Sequence, residues 1–110
     1  VLAAARELRR SGIGLVVVSL GGEGAIFVDG ERALLAVPPA IEIASTVGAG
    51  DALVAGIPAA RLEGGDLESC ARLGTAFAAG KLAEVGPVLP PRARLDTLML
   101  AVQIESLGAA

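Results

Sequence analysis

Gly48, Ala49 and Gly50 stand directly before Asp51 in the stretch Ser45–Gly56, STVGAGDALVAG, and the chain then runs apolar through Ala52, Leu53, Val54 and Ala55. An ordinary turn needs one glycine. Three small residues let successive backbone N–H groups converge on one point, and a helix opening at Asp51 adds about half a positive charge there. Such a nest binds an anion, usually a phosphate. A carboxylate beside it can accept the proton of an attacking hydroxyl, and phosphoryl transfer asks a protein mainly for positioning and charge neutralisation. Asp is equally a favoured N-cap, and glycine turns also precede helices that bind nothing. On these residues alone both readings stay open.

A second glycine cluster, SLGGEG at Ser19–Gly24, follows the apolar run Gly14–Leu20, GLVVVSL. It leaves backbone amides and the Ser19 hydroxyl at the carboxyl end of a strand, where ligands gather in open α/β sheets. Two glycine loops, each after a strand, suit a nucleotide lying across the sheet edge; one such loop alone is most often a tight turn. A dinucleotide-binding unit is excluded. The first cluster is followed by a strand pattern, AIFV, where a helix is required, and the second has Leu53 where a third glycine belongs.

The elements that must position these loops alternate. Val1–Arg10 is an amphipathic helical pattern with no N-cap ahead of it, as though cut rather than started. Gly14–Leu20 is a β-branched run suited to a strand covered on both faces, as in parallel sheets. Ala25–Val28 and Arg32–Val37 form a hairpin around Asp29-Gly30, and Ile41–Ile43 alternates like a half-buried strand. Helices are predicted over 51–62, over 67–84 with Asp66 as N-cap, and over 92–100, with a last strand in the tail. Pro58 falls inside the first of these, where a proline costs about 3 kcal/mol or kinks the helix. The expected architecture is α/β: a mostly parallel sheet in three layers, incomplete at its amino-terminal side, with a β-hairpin and two to three helices.

Composition narrows the chemistry. The 110 residues are 54% hydrophobic, so a core can be buried, yet there are two Phe and no Trp or Tyr. No aromatic platform exists on which bases could stack, and a net charge of -3 gives no attraction to nucleic acid or anionic lipid. No apolar run approaches the roughly 20 residues that span a bilayer, and the first residues suit an amphipathic helix rather than a signal peptide. Cys70 is the sole cysteine, so no internal disulfide forms and a reducing, cytoplasmic setting is expected. Histidine is absent, which removes His-based metal sites and Ser-His triads. Cys70 itself suits a small buried hydrophobe, Phe77 a core residue, and Arg6, Arg9 and Arg10 a solvated helix face.

STVGAGDALVAGIP resembles the carboxyl-terminal signature of the PfkB/ribokinase family of carbohydrate kinases, and the likeness covers nearly the whole chain. GLVVVSLGGEGAIFVDGE is similar to the family's strand and nucleotide loop, AVPPAIEI to the strand before the signature, and ESCARLGTAFAAGKLAEVG to the small-residue helix that walls its adenine pocket. The resemblance implies that residues 1–110 are the carboxyl-terminal, nucleotide-binding part of one kinase domain with a ribokinase-like fold. Asp51 would be the catalytic base, and the amides of Gly48, Ala49 and Gly50 the anion hole for the transferred phosphoryl group. Ser19, Leu20, Gly21, Gly22, Glu23 and Gly24, with Gly50, would hold the nucleotide, and Thr75 falls where relatives often carry an Asn near the adenine. ATP and Mg2+ are the implied cofactors, with a phosphorylated sugar as second substrate and a homodimer among the implied assemblies. The proline pair and the ending LPPRARLDTLM are most similar to members acting on fructose 1-phosphate, with tagatose 6-phosphate and fructose 6-phosphate as alternative acceptors. A non-catalytic nucleotide-binding module and a purely structural domain are the rival expectations.

Overall fold

A computed structural model describes residues 1–40, 49–82 and 91–109. The proposed strand Ile41–Ile43 and the start of the signature, Gly48 included, lie outside the described residues. Helix α1 (Leu2–Arg10) leads into β1 (Val16–Ser19), a short 3-10 turn at Gly21–Glu23, β2 (Ala25–Val28) and β3 (Arg32–Val37). Helices α2 (Ala49–Leu62), α3 (Leu67–Leu82) and α4 (Arg92–Ala101) follow, and β4 (Gln103–Ala109) closes the described chain.

The strands lie in the order β1-β2-β3-β4, and every pairing is antiparallel. The hairpin joins Val28 to Ala33 in register. Its turn is held by Asp29, whose Oδ1 accepts from the amides of Glu31 and Arg32, both at 2.8 Å. Among the described residues β1 therefore pairs with β2 alone, and the parallel pairing expected of it is not found there. Four α-helices are described, where two to three were expected beside the hairpin.

Side-chain alternation sorts the sheet into two faces. Ala25, Phe27, Leu34 and Ala36 pack with Leu53 of α2 and with Leu67 and Ala71 of α3. Val16, Ile26, Val28 and Ala33 pack instead with Ala5 of α1. The result is a helix–sheet–helix sandwich, and it explains the continuous apolar strands. A run such as AIFV, buried at every residue, reports helices over both faces. It does not report the direction of its neighbours.

Helices α2 and α3 meet through glycine. A Cβ built on Gly56 would stand 2.5 Å from the Gly74 Cα and 2.9 Å from the Leu73 carbonyl oxygen. Pro58 lies on the exposed side of α2, and the helix continues through it to Leu62. The carbonyl freed by the missing amide is that of Val54, itself exposed, so water can satisfy it.

Polar side chains fix the remaining ends. Arg72 on α3 donates to the carbonyls of Met99 at 3.0 Å and Val102 at 2.8 Å, tying the end of α4 to α3. Arg6 is half-buried and donates to the Leu107 carbonyl at 3.0 Å, so it docks α1 beside β4 instead of lying on a solvated face. Asp66 caps α3 as predicted, its Oδ1 accepting from the Ser69 amide at 3.0 Å. That bond holds the Asp66 carboxyl below its ordinary range. A depressed folded pKa means the stabilisation is complete above the usual Asp range and is lost as pH falls through it. Asp66→Ala is expected to cost about 1 kcal/mol at neutral pH. Urea unfolding at pH 7 and pH 3 checks this, with the gap between wild type and variant narrowing at pH 3.

Candidate functional site

The signature forms the start of α2. The helix begins at Ala49, two residues before the position predicted from sequence. Asp51 is therefore the third helical residue and not the cap. Ala49, Gly50 and Asp51 occupy the turn whose amides have no intrahelical acceptor. Gly50 is exposed, and a Cβ on it would meet nothing within 4 Å. Asp51 is exposed as well, and no ion pair or hydrogen bond engages it among the described residues. A carboxylate, helix-end amides and open space thus coincide.

The second cluster folds as a compact turn at the carboxyl end of β1. Ser19 pairs with Ala25 at the strand end and is exposed. Leu20 is half-buried against the α1 side of the sheet. Its amide donates to the Gly24 carbonyl at 2.7 Å, the Gly24 amide to Gly21 at 3.2 Å, and the Glu23 amide to Leu20 at 3.4 Å. Gly21 donates to no backbone oxygen among the described residues. Gly21 has a φ of +63° and is exposed, as is Glu23.

Thr75 is buried, 4% exposed, and its Oγ1 has no hydrogen-bond partner among the described residues. It directly follows Gly74, the residue through which α3 touches α2. That this hydroxyl is unpartnered is revealed only by the packing. The three predicted groups thus sit on β1–β2, α2 and α3, joined by the Gly56–Gly74 contact and by the packing of α3 on β3 and β2.

Cys70 and Phe77, set aside as structural, behave so. Cys70 is fully buried, its thiol 3.8 Å from the Ile57 carbonyl oxygen, and burial pushes its pKa up. Arg92 is held by Glu63 at 2.6 Å and Asp96 at 2.8 Å, which raises the arginine's pKa and lowers that of Glu63. Phe77 packs between α3 and α4. Among the described residues no group of three or more His, Cys, Asp or Glu side chains could hold a metal, and no helix is long and apolar enough to cross a membrane.

A sheet between helix layers, with a glycine turn after β1 and an open acid on the first turn of α2, is the architecture of ribokinase-like carbohydrate kinases, and the comparisons agree. The model of the pfkB family of carbohydrate kinases matches residues 1–93. The 1-phosphofructokinase of Rhodobacter capsulatus is 56% identical over 104 residues, covering 94% of this chain and 33% of that protein. A candidate phosphofructokinase from Staphylococcus aureus superposes with a TM-score of 0.89 at 31% identity, over 98% of this chain and 35% of its own. Phosphofructokinase-2 from Escherichia coli, crystallised with substrates and products, superposes at 0.83 with 35% identity, over 90% of this chain and 32% of its own. The chain belongs to the pfkB family of carbohydrate kinases, and it spans about a third of the length of the curated relatives it matches.

Proposed function

We propose that this chain is the carboxyl-terminal, nucleotide-binding part of a kinase that transfers the γ-phosphoryl group of ATP to fructose 1-phosphate. Asp51 accepts the proton of the sugar hydroxyl as its oxygen attacks the γ-phosphorus in line. The new O–P bond forms as the bond to the ADP oxygen breaks, and fructose 1,6-bisphosphate and ADP are released. The amides of Gly48, Ala49 and Gly50 meet the negative charge that spreads over the phosphoryl oxygens. The turn Ser19–Gly24, together with Thr75, forms the nucleotide site. ATP enters as its Mg2+ complex, with the ion brought by the phosphates.

The observation that carries this reading is the exposed, unengaged Asp51 on the first turn of α2, directly beside Gly50. The unpartnered Thr75 hydroxyl supports the nucleotide half. A buried donor left unsatisfied costs about 1–3 kcal/mol, which a bond to the adenine would recover. The 56% identity to a 1-phosphofructokinase favours fructose 1-phosphate as acceptor. Fructose 6-phosphate is the second reading, supported by the 35% identity to phosphofructokinase-2.

Calorimetric titration of the chain with a non-hydrolysable ATP analogue tests the nucleotide half. Saturable binding is expected, weakened at least tenfold by Gly50→Val, whose branched side chain crowds the first-turn amides. Equal affinity in both proteins would remove the α2 loop from the site, and no binding to wild type would remove the nucleotide.

A further inference from the structure

Gly24 closes the SLGGEG turn in surroundings unlike those of the glycines before it. It is buried, with a φ of +106°. A Cβ there would collide with the Ala36 carbonyl oxygen of β3, standing 3.0 Å from that carbonyl carbon and 3.2 Å from the Val37 Cα. All three are backbone atoms of a paired strand, which cannot swing aside as a side chain does. At Gly21 the same construction meets nothing within 4 Å. The turn thus has an open side at Gly21 and a closed side at Gly24.

We propose that Gly24 is a positioning residue, holding the turn against β3 so that the amide of Gly21 faces the nucleotide, without itself touching the ligand. This rests on the nucleotide reading above. Both backbone groups of Gly24 are already spent inside the turn, the amide on the Gly21 carbonyl and the carbonyl on the Leu20 amide. Among the described amides of the turn, that of Gly21 is left over. A side chain at 24 must either pull β2 from β3 near the Ala25–Ala36 pair or lift the turn off the sheet. In the second case the free Gly21 amide loses its aim while the helices stay packed. Only glycine meets both the dihedral and the contact requirement.

The test uses Gly24→Ala beside Gly64→Ala. Gly64 also has a positive φ, +79°, but a Cβ there meets nothing within 4 Å, and it lies in the α2–α3 connection. It reports the cost of the backbone conformation alone. In Gly24→Ala, ATP affinity is expected to fall at least tenfold, with the Gly21 amide resonance displaced before any ligand is added. In Gly64→Ala, affinity should stay within twofold of wild type. A folded Gly24→Ala protein with unchanged affinity and an unchanged Gly21 resonance would overturn the proposal.

Should Gly24→Ala fail to fold, amide hydrogen exchange on the wild type decides instead. Gly21 should exchange fast without ligand and become protected by ATP, with Gly24 slow throughout. ATP-dependent protection centred on Gly24 would make it a contact and defeat the idea. Wild type that binds no ATP would sink the nucleotide reading. The positioning claim would still stand or fall on the ligand-free Gly21 resonance of Gly24→Ala.

Discussion

Asp51→Asn in the full-length kinase is expected to lower kcat by about 10²–10⁴-fold, the usual contribution of a positioned general base. Asparagine matches aspartate in size, so the first turn of α2 keeps its shape, and the exposed site strands no buried partner. What disappears is an oxygen able to take a proton. The acceptor hydroxyl must then lose its proton to water as it attacks, and the barrier rises. On the proposed reading, binding of ATP depends on the amides and the β1–β2 turn, so its KM should move by less than about threefold, well under 1 kcal/mol. Steady-state kinetics with fructose 1-phosphate and ATP, each varied in turn, separates the two effects. Undiminished turnover would defeat the assigned base. A large rise in the KM for ATP with kcat intact would make Asp51 a nucleotide-binding residue instead.

Much of the fold around the candidate site was legible because short-range chemistry specifies it. Asp29 and Asp66 announce a turn and a cap through hydrogen bonds closing within three residues, and the hairpin strands fall at the predicted Ala25–Val28 and Arg32–Val37. What escaped depends on partners far along the chain. The direction of strand pairing is invisible in a run whose apolar character comes from helices above and below. The docking of Arg6 onto the Leu107 carbonyl spans 101 positions, and nothing near Arg6 distinguishes it from the exposed Arg10. The start of α2 was placed at Asp51 because a glycine-rich segment discourages a helical assignment. The helix nonetheless starts at Ala49, so Ala49 and Gly50 fall in its first turn. The shift has a functional consequence: it moves Asp51 off the cap position, where its carboxylate would be occupied by backbone amides.

Gly56→Ala sets two effects of opposite sign against each other in the helix that carries Asp51. Helix propensity alone favours alanine over glycine by about 1 kcal/mol. Against this, the new methyl group would stand 2.5 Å from the Gly74 Cα, 2.7 Å from its nitrogen and 2.9 Å from the Leu73 carbonyl oxygen. All are backbone atoms of a fully formed helix, so relief requires α2 and α3 to separate. Overpacking of this kind costs about 1–3 kcal/mol, and more when main chain must move. The clash should win, with a net loss of about 1–2 kcal/mol after the propensity gain is subtracted. At a urea m-value of about 1–3 kcal/mol per molar, that loss lowers the unfolding midpoint by roughly 0.3–2 M. Two further glycines calibrate the result. At Gly74 a Cβ would meet the Leu53 carbonyl oxygen at 3.1 Å and its Cδ1 at 3.2 Å, contacts that a few tenths of an ångström relieve, so Gly74→Ala should be the milder change. At Gly50 nothing lies within 4 Å, and Gly50→Ala should match or exceed wild type in stability. The order Gly56→Ala, Gly74→Ala, Gly50→Ala, from least to most stable, follows from close approach of α2 and α3. A Gly56→Ala protein as stable as wild type would mean that the two helices stand further apart, with Asp51 and Thr75 no longer held in fixed relation through the glycine contact.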